Sequence, residues 1–122
     1  DTLPFLENSN VGVSFVPCTP YYDCQPPTKT YEYLIYGLPV IATNTLENRR
    51  VIHETNGVLI EDTEDGFCEG IEFIIGKLGR FNSASIQIDN ITHSWANIVD
   101  SAIKPYIENH ISGEKKSWCH IY

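Results

Sequence analysis

Methionine is absent from this chain, and basic residues are scarce. The 122 residues begin at Asp1 and carry eight lysines and arginines against sixteen aspartates and glutamates, for a formal net charge of −8. A field of this sign repels phosphate backbones and anionic lipid surfaces, so we do not expect nucleic acid or anionic membrane as a main partner. Because no methionine opens the chain, we expect a processed protein or a piece of a longer one.

Long apolar runs are also missing. No stretch approaches the roughly 20 residues that a membrane-spanning helix needs, and no signal-peptide pattern is present. The four cysteines, at positions 18, 24, 68 and 119, match neither a zinc ligand set nor a C-x-x-C pair. We expect free thiols in a cytoplasmic protein, with a Cys18–Cys24 disulfide as the alternative and Cys68 in the core. No metal or cofactor is expected, and the four histidines share no metal-ligand spacing.

Short apolar runs alternate with helical patterns along the chain. "VGVSFV" (11–16), "PVIAT" (39–43) and "VLIE" (58–61) predict three strands, and the segments between them have helical periodicity. This alternation predicts an α/β fold with a parallel, Rossmann-like sheet covered by helices on both faces. Three strands are half of a doubly wound sheet, so we expect an open edge, with self-association through it as one possibility.

The helical segments have recognisable starts and stops. Pro27 suits a first helical position and Gly37 a helix end. Thr63 suits an N-cap, which makes the acidic run "EDTED" (61–65) a strand exit followed by a helix cap rather than a cation site. The apolar positions of that helix predict its inner face: Phe67, Ile71, Ile74, Ile75 and Leu78. In the last helical pattern, from position 94 to about 111, Pro105 predicts a kink near Ser101.

The start of the helix that leaves the first strand carries Lys29 and Glu32. Ligands of open α/β sheets bind outside the carboxyl ends of the strands, and a helix start there offers N–H groups and a positive dipole end that suit a phosphate. Lys29 adds a full positive charge, and the Glu32 carboxylate can accept hydrogen bonds from a diol. The spacing alone also fits an ordinary i, i+3 surface pair.

Four stretches carry a resemblance to a known family: "VGVSFVP", "PPTKTYEYLIYGLPVIAT", "NGVLIED" and "SWANIVDSAIKPYIENH". Together they resemble the C-terminal half-domain of retaining glycosyltransferases of the two-Rossmann-domain type, the glycosyltransferase group one superfamily. The resemblance implies a partial donor-binding domain over residues 1–112, with a C-terminal tail at 113–122. It also implies an enzyme that moves a sugar from a nucleoside diphosphate to a polysaccharide or glycolipid, in the cytoplasm or at the inner membrane face.

The resemblance also implies roles for single residues. Glu32 matches the glutamate that holds the donor ribose, and Cys24 occupies the position of the glutamate that touches the transferred sugar. The loop over residues 25–28, which begins at Gln25, matches the one that approaches the diphosphate. Its two prolines have no N–H groups to donate. Thr28 and Lys29 therefore remain as the hydrogen-bond donors. Tyr22 is the candidate for stacking on the base.

No catalytic residue is assigned. The acceptor is expected to bind the other Rossmann domain, outside this chain, so the chain alone should be inactive. An epimerase of the same two-domain shape and a non-catalytic interaction module remain alternatives.

Overall fold

A computed structural model of the chain describes residues 2–111. They fall into two compact units, with the division between Ile91 and Thr92. The boundary at 112 stays a prediction, and the predicted tail lies outside the described residues.

The first unit is an α/β structure, as the alternating pattern predicts. Its elements in chain order are α1 (Leu3–Glu7), β1 (Gly12–Ser14), α2 (Thr28–Ile35), β2 (Val40–Thr43), α3 (Leu46–Val51), β3 (Gly57–Ile60), α4 (Glu64–Lys77), a 3-10 turn (Leu78–Arg80) and α5 (Ser83–Asn90). The strands form a parallel sheet in the order β1-β2-β3, with Gly12 opposite Val40 and Val40 opposite Gly57. All three carboxyl ends therefore meet at one rim of the sheet.

Helices cover both faces of the sheet. Successive side chains of β2 point to opposite faces, and those on each face are buried beneath a helix. Val40 and Ala42 belong to one apolar cluster with Leu34 of α2 and Ile86 of α5, and Ile41 belongs to a second with Ile60 and Ile74. The central strand is buried at every position. This two-sided burial explains why a parallel strand reads as a continuous apolar run.

The bounds of α2 come from its terminal residues. The helix begins at Thr28 with Pro27 at the N-cap position, one residue later than predicted. Gly37 follows the last turn with a φ of 76°, a conformation that side chains disfavour and that suits the end of a helix. The rim between β1 and α2 therefore has the geometry that the sequence indicated.

Three expectations about the core were wrong, and two helices were not foreseen. Cys68, Ile75 and Leu78 are exposed rather than buried, because α4 turns a narrower stripe toward the sheet than its apolar residues suggested and ends before Leu78. The short α1 and the polar α5 were not predicted, although α5 buries Ile86. The Thr63 cap is confirmed, since the Gly66 N–H donates to its hydroxyl at 3.0 Å.

The second unit consists of α6 (Trp95–Ile98), a π-helical segment (Val99–Ile103) and α7 (Lys104–Ile111). The widened turns lie where the kink was predicted, because Pro105 has no N–H to donate and its ring disfavours the normal turn before it. Within residues 2–111, no helix has the length and apolar character required to traverse a bilayer.

Candidate functional site

A cleft of about 550 Å³ opens at the carboxyl rim of the sheet, and we call it the main cleft. This volume lies within the range of small-molecule sites. Its walls come from the end of β1, the β1–α2 loop, the start of α2 and the start of α3. The lining residues are 13–17, 22, 25–29, 45 and 48.

A chain of buried hydroxyl and amide groups forms the floor of the main cleft. The Thr30 hydroxyl lies 2.9 Å from both the Ser14 Oγ and the Asn48 Oδ1. The Asn48 Nδ2 donates to the Thr43 carbonyl at 2.9 Å, so its Oδ1 is the side that faces Thr30. The Asn48 backbone N–H donates to the Thr45 Oγ1 at 3.2 Å. These bonds tie β1, α2 and α3 together beneath the site.

Two aspartates hold the β1–α2 loop in place over the rim. The Asp23 Oδ1 accepts from the Leu46 N–H at 2.6 Å, which satisfies a free amide at the start of α3. The Asp62 Oδ2, beyond β3, accepts from the Cys18 N–H at 2.8 Å. The loop that carries Tyr22 and Gln25 is therefore anchored near both of its ends.

The start of α2 retains unsatisfied donors. The Thr28 N–H donates to the Pro26 carbonyl at 2.9 Å, so the expectation that the Thr28 backbone is available was wrong. The amides of Lys29 and Thr30 have no acceptor among the described residues, and α2 has no side-chain cap. With the dipole of α2 and the charge of Lys29, these amides favour an anion.

Glu32 lines a different depression, which we call the side hollow. This hollow, of about 360 Å³, lies between α1, the first residues of β1 and α2. Lys29 lines both the main cleft and the side hollow. Within the described residues, neither the Lys29 nor the Glu32 side chain forms a hydrogen bond or an ion pair, so the two side chains are not the surface pair that their spacing allows.

The close approach of β1 and α2 shapes the side hollow. A Cβ at Gly12 would overlap the ring of Tyr33, so the tyrosine lies directly on the strand. Tyr33 is partly buried and packs against the apolar cluster that contains Leu34 and Val40. The hollow therefore has an aromatic wall beside the Glu32 carboxylate.

The predicted site residues are only partly brought together. Tyr22, Gln25, Thr28 and Lys29 line the main cleft, and Glu32 lines the side hollow. Cys24 is exposed and lines neither. The carboxylate of the neighbouring Asp23 accepts a hydrogen bond from the Leu46 N–H at the start of α3. It therefore does not replace the glutamate that the resemblance places at position 24.

Sequence reasoning missed the polar floor and one aromatic wall. Ser14 lies within an apolar run, and Asn48 within a weak helix, so nothing local marked them. Phe15 lines the main cleft with 46% of its surface exposed, and Phe67 packs edge-on against it with ring centroids 6.0 Å apart. Thr45 was detectable, because a threonine just before a helical segment is a typical N-cap.

One thiol near the rim has a raised pKa. Cys18 is exposed as a residue, but partial desolvation of its thiol raises the pKa above the ordinary value, and the carboxylates of Asp62, Asp23 and Glu61 raise it further. The described cysteines are all free thiols. Within residues 2–111, no group of three or more histidine, cysteine, aspartate or glutamate side chains has a geometry that holds a metal ion.

Comparison of the chain with protein-family models, with curated proteins and with solved structures produced no match.

Proposed function

We propose that this chain supplies the donor-binding half-site of a retaining glycosyltransferase, which takes a sugar from a nucleoside diphosphate and passes it to a glycan or lipid-linked acceptor. The proposal rests on the family resemblance of the sequence and on one observation at the rim. Lys29 and Glu32 are unpaired on the first turns of α2, and Lys29 lies between two depressions.

The order of these groups matches the order of parts in a nucleotide sugar. Free amides and the Lys29 ammonium suit the diphosphate at the shared boundary. The Glu32 carboxylate suits the paired hydroxyls of the ribose, so the nucleoside occupies the side hollow. Tyr22 lines the main cleft, so in this placement it does not stack on the base as the sequence suggested. The transferred sugar then extends into the main cleft on the other side of Lys29.

Catalysis in this arrangement depends on stabilising the leaving group. Charge develops on the diphosphate as its bond to the sugar breaks, and Lys29 with the α2 dipole offsets that charge. The acceptor attacks from the same face of the sugar and is bound by the second Rossmann domain that the resemblance implies. This chain alone holds the donor and does not complete the reaction.

The direct test is calorimetric titration of the chain with a nucleoside diphosphate and with its 2′,3′-dideoxy form. Glu32→Gln should weaken binding of the ribonucleotide by about 1.5–3 kcal/mol, or roughly 10- to 150-fold, because hydrogen bonds to a carboxylate are lost. The same substitution should not weaken binding of the dideoxy form, which has no hydroxyls to offer.

Glu69→Gln on α4 is the matched control, since this exposed glutamate lines neither depression. If Glu32→Gln weakened binding of both nucleotides equally, or of neither, Glu32 would not be the residue that binds the ribose hydroxyls. A chain that ignores nucleotides and sediments as a stable dimer would favour the interaction-module alternative.

A further inference from the structure

The main cleft has no acidic side chain among its described lining residues, although the protein carries a net charge of −8. Its one charged group is Lys29, at the boundary with the side hollow. The walls are apolar or aromatic, with Phe15 and Tyr22 each packed edge-on against a second ring. Carboxylates commonly bind the hydroxyls of a plain hexose, and the described lining of this cleft contains no carboxylate.

The number of hydroxyl protons in the floor determines whether the Ser14 hydroxyl donates or accepts in its hydrogen bond with Thr30. The Asn48 Oδ1 only accepts, so the single Thr30 hydroxyl proton points to it. The Thr30 oxygen therefore accepts from the Ser14 hydroxyl, 2.9 Å away. Because its proton is used, the Ser14 oxygen presents only lone pairs to the cleft that it lines.

The same reasoning gives Thr45 the opposite role. Its oxygen accepts from the Asn48 N–H, and its own proton has no acceptor among the described residues. Ser14 and Thr45 are each only 2% exposed and both line the main cleft. A buried hydroxyl whose proton lacks an acceptor loses free energy until a ligand supplies one. The floor therefore offers one acceptor and one donor beneath apolar walls.

We infer that the main cleft accepts a 2-acetamido sugar rather than a plain hexose, an inference that rests on the proposed function. The acetamido N–H donates to the Ser14 oxygen, and its carbonyl accepts from the Thr45 hydroxyl. Its methyl group packs on the apolar wall that Phe15 forms. A plain hexose in the same place presents a hydroxyl group to this apolar wall. That hydroxyl loses its hydrogen bonds to water without replacement, which weakens binding.

The test compares three ligands by calorimetry on the full chain: UDP, UDP-glucose and UDP-N-acetylglucosamine. We expect the acetamido sugar nucleotide to bind about tenfold more tightly than the hexose nucleotide. Ser14→Ala should reduce that preference to less than about threefold, and the UDP affinity of the same variant corrects for any general loss of binding. The substitution leaves no donor unsatisfied, because Thr30 still donates to Asn48.

Thr45→Ser keeps both the helix cap and the hydroxyl, so it should retain the preference. Ser85→Ala, on the exposed face of α5, is the control for a remote serine. Equal affinity for the two sugar nucleotides, or a preference that survives Ser14→Ala, would overturn the inference and leave the proposed function standing. If the chain binds none of UDP, ADP and GDP, both the inference and the proposed function are overturned.

Discussion

Cys18 is a residue whose chemistry is set by the loop anchors around it. Its raised pKa, from partial desolvation and then from nearby carboxylates, reduces the thiolate fraction at any pH below that value. Asp62→Asn removes the first of those charges, so the pKa should fall and alkylation by iodoacetamide at pH 8 should become roughly twofold faster or more. The midpoint of the rate against pH should move to lower pH.

The measurement is a mass-spectrometric time course of Cys18 labelling. Asp65→Asn, on the first turn of α4, is the control, since Asp65 is not among the charges that act on this thiol. An unchanged rate in Asp62→Asn would mean that the Asp62 charge does not set the reactivity of Cys18.

At the scale of elements, the end of α2 depends on a single backbone conformation. Gly37→Ala should lower the free energy of unfolding by about 1–3 kcal/mol, because a φ of 76° is costly for alanine and its Cβ would overlap the Ser83 backbone carbonyl. Urea denaturation followed by circular dichroism measures this loss.

Gly76→Ala provides the opposite result in the same assay. Gly76 lies inside α4, and an added Cβ there meets nothing within 4 Å. Helix propensity then predicts a gain of about 0.5–1 kcal/mol. If both substitutions changed stability in the same direction, the Gly37 conformation would not be the cause.

At the scale of the whole molecule, the apolar clusters end with α5. Among residues 2–111, both are built from residues of the first unit, and the last buried apolar member is Ile86. A chain that ends at Ile91 should therefore keep a cooperative thermal transition by circular dichroism. A chain that ends at Asn82 loses Ile86 and should lose that transition or melt well below the longer chain.

Much of the fold was predictable because its signals are local. The run from Val40 to Thr43 and the stop at Gly37 specify a buried strand after a helix without reference to the rest of the chain. The helix α5 escaped prediction because its burial depends mainly on Ile86, and one apolar contact leaves no periodicity in the sequence.

The candidate site was predictable only where it follows from a helix start. Lys29 was foreseen at the rim because its position after the first strand determines where it lies, whereas Glu32, one turn further along α2, lines the side hollow. Ser14, Thr30 and Asn48 come from three elements, and each is an unremarkable polar residue until the sheet brings them into contact. Their roles depend on tertiary convergence, which no single segment encodes.

The strand register has a consequence for the order of assembly. Gly12 pairs with Val40, and Val40 pairs with Gly57, so joining β2 to β3 closes the shorter loop. Loop closure costs more entropy as the loop lengthens. This favours early formation of the β2-α3-β3 crossover unit and late docking of β1. Since β1 supplies a wall of both depressions, binding capacity should arise in the final kinetic step of folding, after most helical signal has already appeared.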